Sequence, residues 1–382
     1  MEGIVLQLLH DDVAVRGRGF VKLTEAYKKP NSMSDLFKIL HSSSNSKVRQ
    51  YAAVLLKKRL VNAKHWFRLP QIARTDYKSI ILKQLLNEEV SLRSSIVDLT
   101  IIIANHELTN PITDWPELFE SIYRLLNGES SSDIEVGISL LPAVAANRPE
   151  TLMNHVELIV TFLTKTLHSL QELNNTIVYN ILLTILHLAP IVTDDQNIKN
   201  AFHETMPQVI CSIQALTEFD KDQAIEVLEL LDGLCKNSPE VTSIHTAILV
   251  TTCICIAENK LLDDLLRVKG LKIIKWLVDT KNTTIRNNEL VTPIIDMIYT
   301  VMSEPVHNEL RDFYINAFTN DETPMTCAIQ ILDIFSQHLP SQELVLEVLQ
   351  RTELLFEDPD IYVKRGCYVV MAVVVEYSSK FI

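Results

Sequence analysis

A corner recurs along this chain: acidic or hydroxyl residues, then an apolar residue followed by a basic one. It appears as Asp11-Asp12 before Val15-Arg16, Ser46 before Val48-Arg49, Glu88-Glu89 before Leu92-Arg93, and Asp358-Pro359 before Val363-Lys364-Arg365. The first three arginines are 33 and 44 residues apart, the period range of helical-pair repeats. Each corner offers an oxygen to the unpaired N–H groups that open a helix. Only 8 glycines are present in 382 residues, so little material is available for hairpin turns. The expected fold class is therefore all-α, a HEAT-repeat right-handed superhelical solenoid of about nine helix pairs.

The second helix of each pair is expected at 12–28, 47–62, 90–106, 132–147, 172–189, 220–236, 262–279, 325–338 and 360–377. Most prolines fall at the joints, but Pro142, Pro207 and Pro293 read as internal and should kink their helices. Cys367–Tyr377 is rich in β-branched residues, yet its place after a corner makes it helix. No such repeat buries its apolar face alone, so neighbours must stack into one core. No apolar run approaches the ~18–20 residues of a membrane span. The opening MEGIVLQLLHDD lacks a basic n-region, and the six cysteines include no C-x-x-C. Without a signal peptide, the glycosylation patterns at Asn174 and Asn282 read as idle.

Chemistry-bearing motifs do not assemble. His106-Glu107 and His203-Glu204 begin like H-E-x-x-H, but Asn110 and Pro207 occupy the closing position. Cys253 and Cys255 point to different sides of a helix. The Gly17-Arg18-Gly19 segment follows no strand. No enzyme and no cofactor is expected. The net charge of −13 disfavours nucleic acid and favours basic partners. Glu226, Glu229 and Asp232 fall on one helix, an acidic face that reads first as solvated surface.

The segment Lys47–Leu69, KVRQYAAVLLKKRLVNAKHWFRL, is the most specific stretch. Val48, Tyr51, Ala52, Leu55 and Leu56 share one side of a helix, and Gln50, Lys57 and Lys58 take the other. Arg59 lies near the apolar arc, where its stem is expected to carry the guanidinium to water. With Trp66 and Leu69 following, this segment resembles the amino-terminal signature of the importin-β (karyopherin-β) nuclear transport receptors. Asp114–Leu126, Asn147–Ile159, Glu322–Pro340 and Val363–Ile382 resemble later segments of one family member, in order. The stretch 304–322 lacks the long acidic insertion of the family, so no acidic-loop contact carries over.

The resemblance implies a single array over 1–382, with Ran-binding repeats in 1–106 and further HEAT repeats in 107–382. It implies a receptor that shuttles between cytoplasm and nucleus and binds Ran-GTP, FG-repeat nucleoporins and basic cargo such as histones and ribosomal proteins. FG pockets in the family lie between neighbouring first helices. Helical phase within the signature singles out Arg49, Gln50, Lys57 and Lys58 for Ran. The competing class is a static HEAT-repeat scaffold subunit. The last helix is apolar on nearly every side, so the chain reads as the amino-terminal portion of a longer receptor, with an apolar outer face on its last pair.

Overall fold

A computed structural model describes residues 1–87, 90–169, 174–191, 195–305 and 322–378. The Glu88-Glu89 corner, most of the 304–322 stretch and the last four residues lie outside them. Two compact units are formed, Met1–Asn154 and His155–Ile382. Among the described residues there is no strand.

The first unit pairs α1 (Glu2–Leu8) with α2 (Val13–Ala26) and α3 (Ser32–Ser42) with α4 (Ser46–Leu60). A short α5 (Ala63–Phe67) leads into α6 (Gln71–Asn87) and α7 (Val90–Thr109), followed by α8 (Pro116–Leu126) and α9 (Ser131–Asn147). The second helices α4, α7 and α9 stack in sequence, and first helices α3 and α6 touch behind them.

The second unit repeats the plan: α10 (Val156–His168) with α11 (Asn175–Leu188), then α12 (Gln196–Leu216) with α13 (Lys221–Asn237). After α14 (Pro239–Thr242), α15 (Thr246–Glu258) pairs with α16 (Asp264–Thr280). Beyond α17 (Asn282–Asn287) come α18 (Val291–Met302) with α19 (Pro324–His338), and α20 (Ser341–Phe356) with α21 (Ile361–Ser378). Here α11, α13, α16, α19 and α21 form one layer, and α10, α12, α15, α18 and α20 the other.

Among the described residues each of the nine expected second helices is present, with ends displaced by three residues or fewer. Two particulars differ from expectation. Pro142 and Pro207 are internal, but Pro293 is the third residue of α18, in the first turn, where its missing N–H leaves no bond unmade. The run Pro239–Glu258 reaches membrane-spanning length and apolarity, but it is a chain of short helix, 3-10 turn and helix, half of it buried against the rest of the unit.

The recurring corner has a two-part physical cause. Its oxygen caps the new helix: Asp12 Oδ1 accepts from Ala14 N at 2.7 Å, and Asn45, rather than the expected Ser46, caps α4. At the first three corners its arginine then turns back onto carbonyls at the end of the preceding first helix or in the corner itself. Arg16 donates to the His10 and Asp11 carbonyls at 3.0 and 2.8 Å, Arg49 to Ser43 at 2.8 Å, and Arg93 to Leu85 at 3.0 Å. Arg267, whose corner Asp-Asp-Leu-Leu-Arg fits the same pattern, does the same at Ala257 (2.8 Å). Arg267 is also buried against Glu304, bonded through both guanidinium nitrogens.

Helix α21 confirms that packing overrides β propensity. It buries Cys367, Val370 and Val374 while Ile361, Tyr368 and Val375 stay exposed, as do Leu346, Leu349 and Leu354 on α20.

Candidate functional site

Helix α4 buries Val48, Ala52, Ala53, Leu55, Leu56 and Leu60 between α3 and α7. That arc leaves the four singled-out residues in unlike places. Lys58 is exposed and makes no ion pair among the described residues. Lys57 is half-exposed, its Nζ 2.7 Å from Asp98 Oδ2 on α7. Gln50 lies two turns before Lys57 on nearly the same line, half-buried and partnered. Arg49 falls within the packed arc, between the phases of Leu56 and Leu60, and is held to its own corner. Helical phase alone brings Gln50, Lys57 and Lys58 onto one accessible flank, with Arg49 apart from them.

Arg59 does not reach for water as expected. Its guanidinium lies 4.4 Å from the Tyr27 ring centroid and donates to the Tyr27 carbonyl at 3.1 Å, joining α4 to the end of α2. Burial raises the Tyr27 hydroxyl pKa, and the Arg59 charge opposes that rise. His65 on α5 has its pKa lowered, first by desolvation and then by the charges of Arg59 and Arg68. The charges near the end of α4 thus add to desolvation in disfavouring the protonated form of His65.

Trp66, the tryptophan of the signature, is fully buried, and its Nε1 donates to Glu107 Oε1 at 2.7 Å. Glu107, 2% exposed, also takes Arg74 at 2.7 Å and Lys78 at 2.9 Å, both from α6. Burial alone would raise the Glu107 pKa, but bonds from Lys78 and Trp66 and the charges of Lys78 and Arg74 bring it below the ordinary value. His106, beside it, meets the Leu60 carbonyl through Nε2 at 2.6 Å, so the ring donates there. The His106-Glu107 pair is therefore a brace between α5, α6 and α7. Sequence reasoning missed both Asp98 and Glu107 as partners. The available signal was that Asp98 and Glu107 are the two carboxylates of α7.

A groove of about 1010 Å³ opens between first helices α6 and α8. Leu82, Leu86, Trp115 and Leu125 supply apolar atoms to it, and its charged lining is mixed, with Lys78, Lys83 and Arg124 against Asp114, Glu117 and Asp133. Trp115 is held by Lys78, whose ammonium lies 5.5 Å from its ring. No sequence motif marks this groove, because its walls come from helices 29 or more residues apart.

In the second unit the acidic face of α13 is largely matched. Glu229 meets Lys269 of α16 at 2.6 Å, Asp232 meets Lys236 at 2.5 Å, and Glu226 accepts from the Tyr179 hydroxyl of α11. The Tyr179 hydroxyl pKa is raised by its burial and by that carboxylate. Cys253 is buried and Cys255 exposed, on different sides of α15 as expected.

A stack of helix pairs that opens with this signature is the mark of one class of repeat protein, and the comparisons agree. Residues 21–87 match the importin-β amino-terminal domain family, and 88–252 match the family of IPO5-like TPR repeats. The chain belongs to the importin-β family. It is 27% identical to mouse importin-4 over 98% of its length and 26% identical to the human protein, covering 34% of each. The chain thus spans about a third of the length of these relatives. The crystal structure of Kap121p bound to RanGTP superposes with a TM-score of 0.61 at 16% identity, over 99% of this chain and 36% of that one. Kap121p bound to Nup53p gives 0.63, also at 16% identity. At such identity these likenesses establish a shared fold.

Proposed function

We propose that the chain acts within a nuclear import receptor, with the accessible flank of α4 binding Ran-GTP through Lys57 and Lys58 and with contributions from Gln50 and Arg49. Residues 1–106 would supply the Ran-binding repeats of a single array and 107–382 its further repeats. The observation that carries the reading is the exposed Lys58 beside half-exposed Lys57, inside the segment matched as importin-β amino-terminal domain. A cationic edge kept accessible on a packed helix is suited to carboxylates of a partner. Kap121p, which shares the fold, has been crystallised with RanGTP, with Nup53p and with Pho4p.

The groove between α6 and α8 fits the second partner, FG-repeat nucleoporin, whose phenylalanine needs an apolar recess between first helices. Basic cargo such as histones and ribosomal proteins is the third, favoured by the charge of −13, and shuttling between cytoplasm and nucleus follows. The test is a pull-down of the chain with Ran loaded with GTP or GDP. Retention of the GTP form alone is expected. Equal retention, or none, contradicts the receptor reading and leaves the static scaffold.

A further inference from the structure

Most corners between the first and second helix of a pair, where their residues are described, are polar at their tips: 43–45 reads Ser-Ser-Asn, 127–130 Asn-Gly-Glu-Ser and 357–360 Glu-Asp-Pro-Asp. Two successive corners of the second unit break this rule. Between α12 and α13, Phe219 is 64% exposed; between α15 and α16, Leu261 is 96% exposed. Neither contributes to the core, and each corner is ordered without them. Asp220 caps α13 through Gln223 N at 3.0 Å, and Asn259 Oδ1 accepts from Leu261 N at 3.1 Å. Lys221 and Asp263 then join the two corners at 2.8 Å.

The two tips line one groove of about 590 Å³, to which Leu262 and Leu266 add apolar atoms. Glu218, Asp220 and Asp263 stand in the same lining, with Asp222 and Asp264 on the first turns of α13 and α16. Of these carboxylates Asp263 is paired with Lys221 and Asp264 with Arg267 at 3.3 Å, and Lys260 adds one more positive charge, so Glu218, Asp220 and Asp222 remain in excess. An apolar recess with an excess of carboxylates attracts apolar groups carried among cations and repels the same groups carried among anions.

We propose that this groove docks a short peptide segment whose large apolar side chains are flanked by lysine or arginine. The site shares no residue with the α4 flank or the α6–α8 groove and is built from two corners and the helix starts that follow them.

The probes are three synthetic twelve-residue peptides sharing one Phe-Leu pair, flanked by lysines, by Gly-Ser or by glutamates, read by fluorescence anisotropy. The lysine peptide should bind most tightly and the glutamate peptide least. Phe219→Ser with Leu261→Ser should weaken the lysine peptide about tenfold or more, as loss of buried apolar anchors does. Glu218→Lys with Asp222→Lys should weaken it and flatten its salt dependence. Both variants change exposed residues, so their melting temperatures and Ran-GTP binding should match the parent. No binding of the lysine peptide, equal binding of all three, tightest binding of the Gly-Ser peptide, or an unchanged affinity in F219S/L261S overturns the proposal. Loss of Ran-GTP binding in Lys57 and Lys58 variants leaves these peptide affinities untouched, so the two readings fail separately.

Discussion

The second helices α4 and α13 occupy equivalent places in two successive units, and both look charged in sequence. On α13 the carboxylates Glu229 and Asp232 are each met by a lysine within 2.6 Å. On α4 the cations divide: Arg49 and Arg59 are drawn into the packing, Lys57 is shared with Asp98, and Lys58 is left in solvent. A run of like charge along a helix therefore does not measure the field that a partner meets. What matters is which charges the neighbouring second helix answers. α16 answers α13 with Lys269, whereas α7 offers α4 a single carboxylate on its accessible flank, Asp98.

A second contrast lies within the signature itself. Its tryptophan end is buried and its lysine pair is open, so the same segment contains residues kept for stability and residues available for binding. Trp66→Ala removes a fully buried side chain and one of Glu107's donors, and should cost about 3–5 kcal/mol in denaturant unfolding. Lys58→Ala should cost less than about 0.5 kcal/mol in the same assay. Comparable losses from the two would erase the division.

Glu107→Gln should cost about 2–4 kcal/mol, because Arg74 and Lys78 keep their charges in a largely buried site without the carboxylate. The native Glu107 pKa lies below the ordinary value, so its contribution is fully present above the unfolded pKa and is lost as pH falls through the folded one. The acid limb of a stability–pH profile should accordingly be shallower in E107Q than in the parent. An identical limb removes Glu107 from the account.

The smallest effects are expected on α13. Lys269→Ala, breaking a pair whose carboxylate side chain is 55% exposed, should change stability by no more than about 1 kcal/mol. If the matched face matters to basic cargo, freeing Glu229 in this variant should tighten binding of a histone-tail peptide at low salt. The gain should disappear as screening shortens to about 8 Å at physiological ionic strength. No gain at low salt would show that the α13 face lies off the cargo path.

Much of the helix plan was legible because its cues are local. Corner oxygens, the apolar-basic pair that follows them, and helical phase around Val48 and Leu56 all lie within one turn or two. The Arg59 contact to Tyr27 and the Lys57 pair to Asp98 were not legible, since each partner comes from another helix 32 and 41 residues away. Pro293 was misplaced because a helix start without a side-chain cap gives no sequence mark, and α18 has none. The α6–α8 groove exists only between elements, so no single stretch could show it.

The central claim is that the open flank of α4 is a binding surface and not merely a solvated helix side. Ran-GTP affinity of the parent chain and of Lys57→Glu with Lys58→Glu, measured by titration calorimetry at physiological salt, tests it most directly. Charge reversal should weaken binding by about 1–3 kcal/mol, roughly 5- to 150-fold, with the helical circular dichroism and melting temperature retained. An unchanged affinity in the folded double variant would contradict the account.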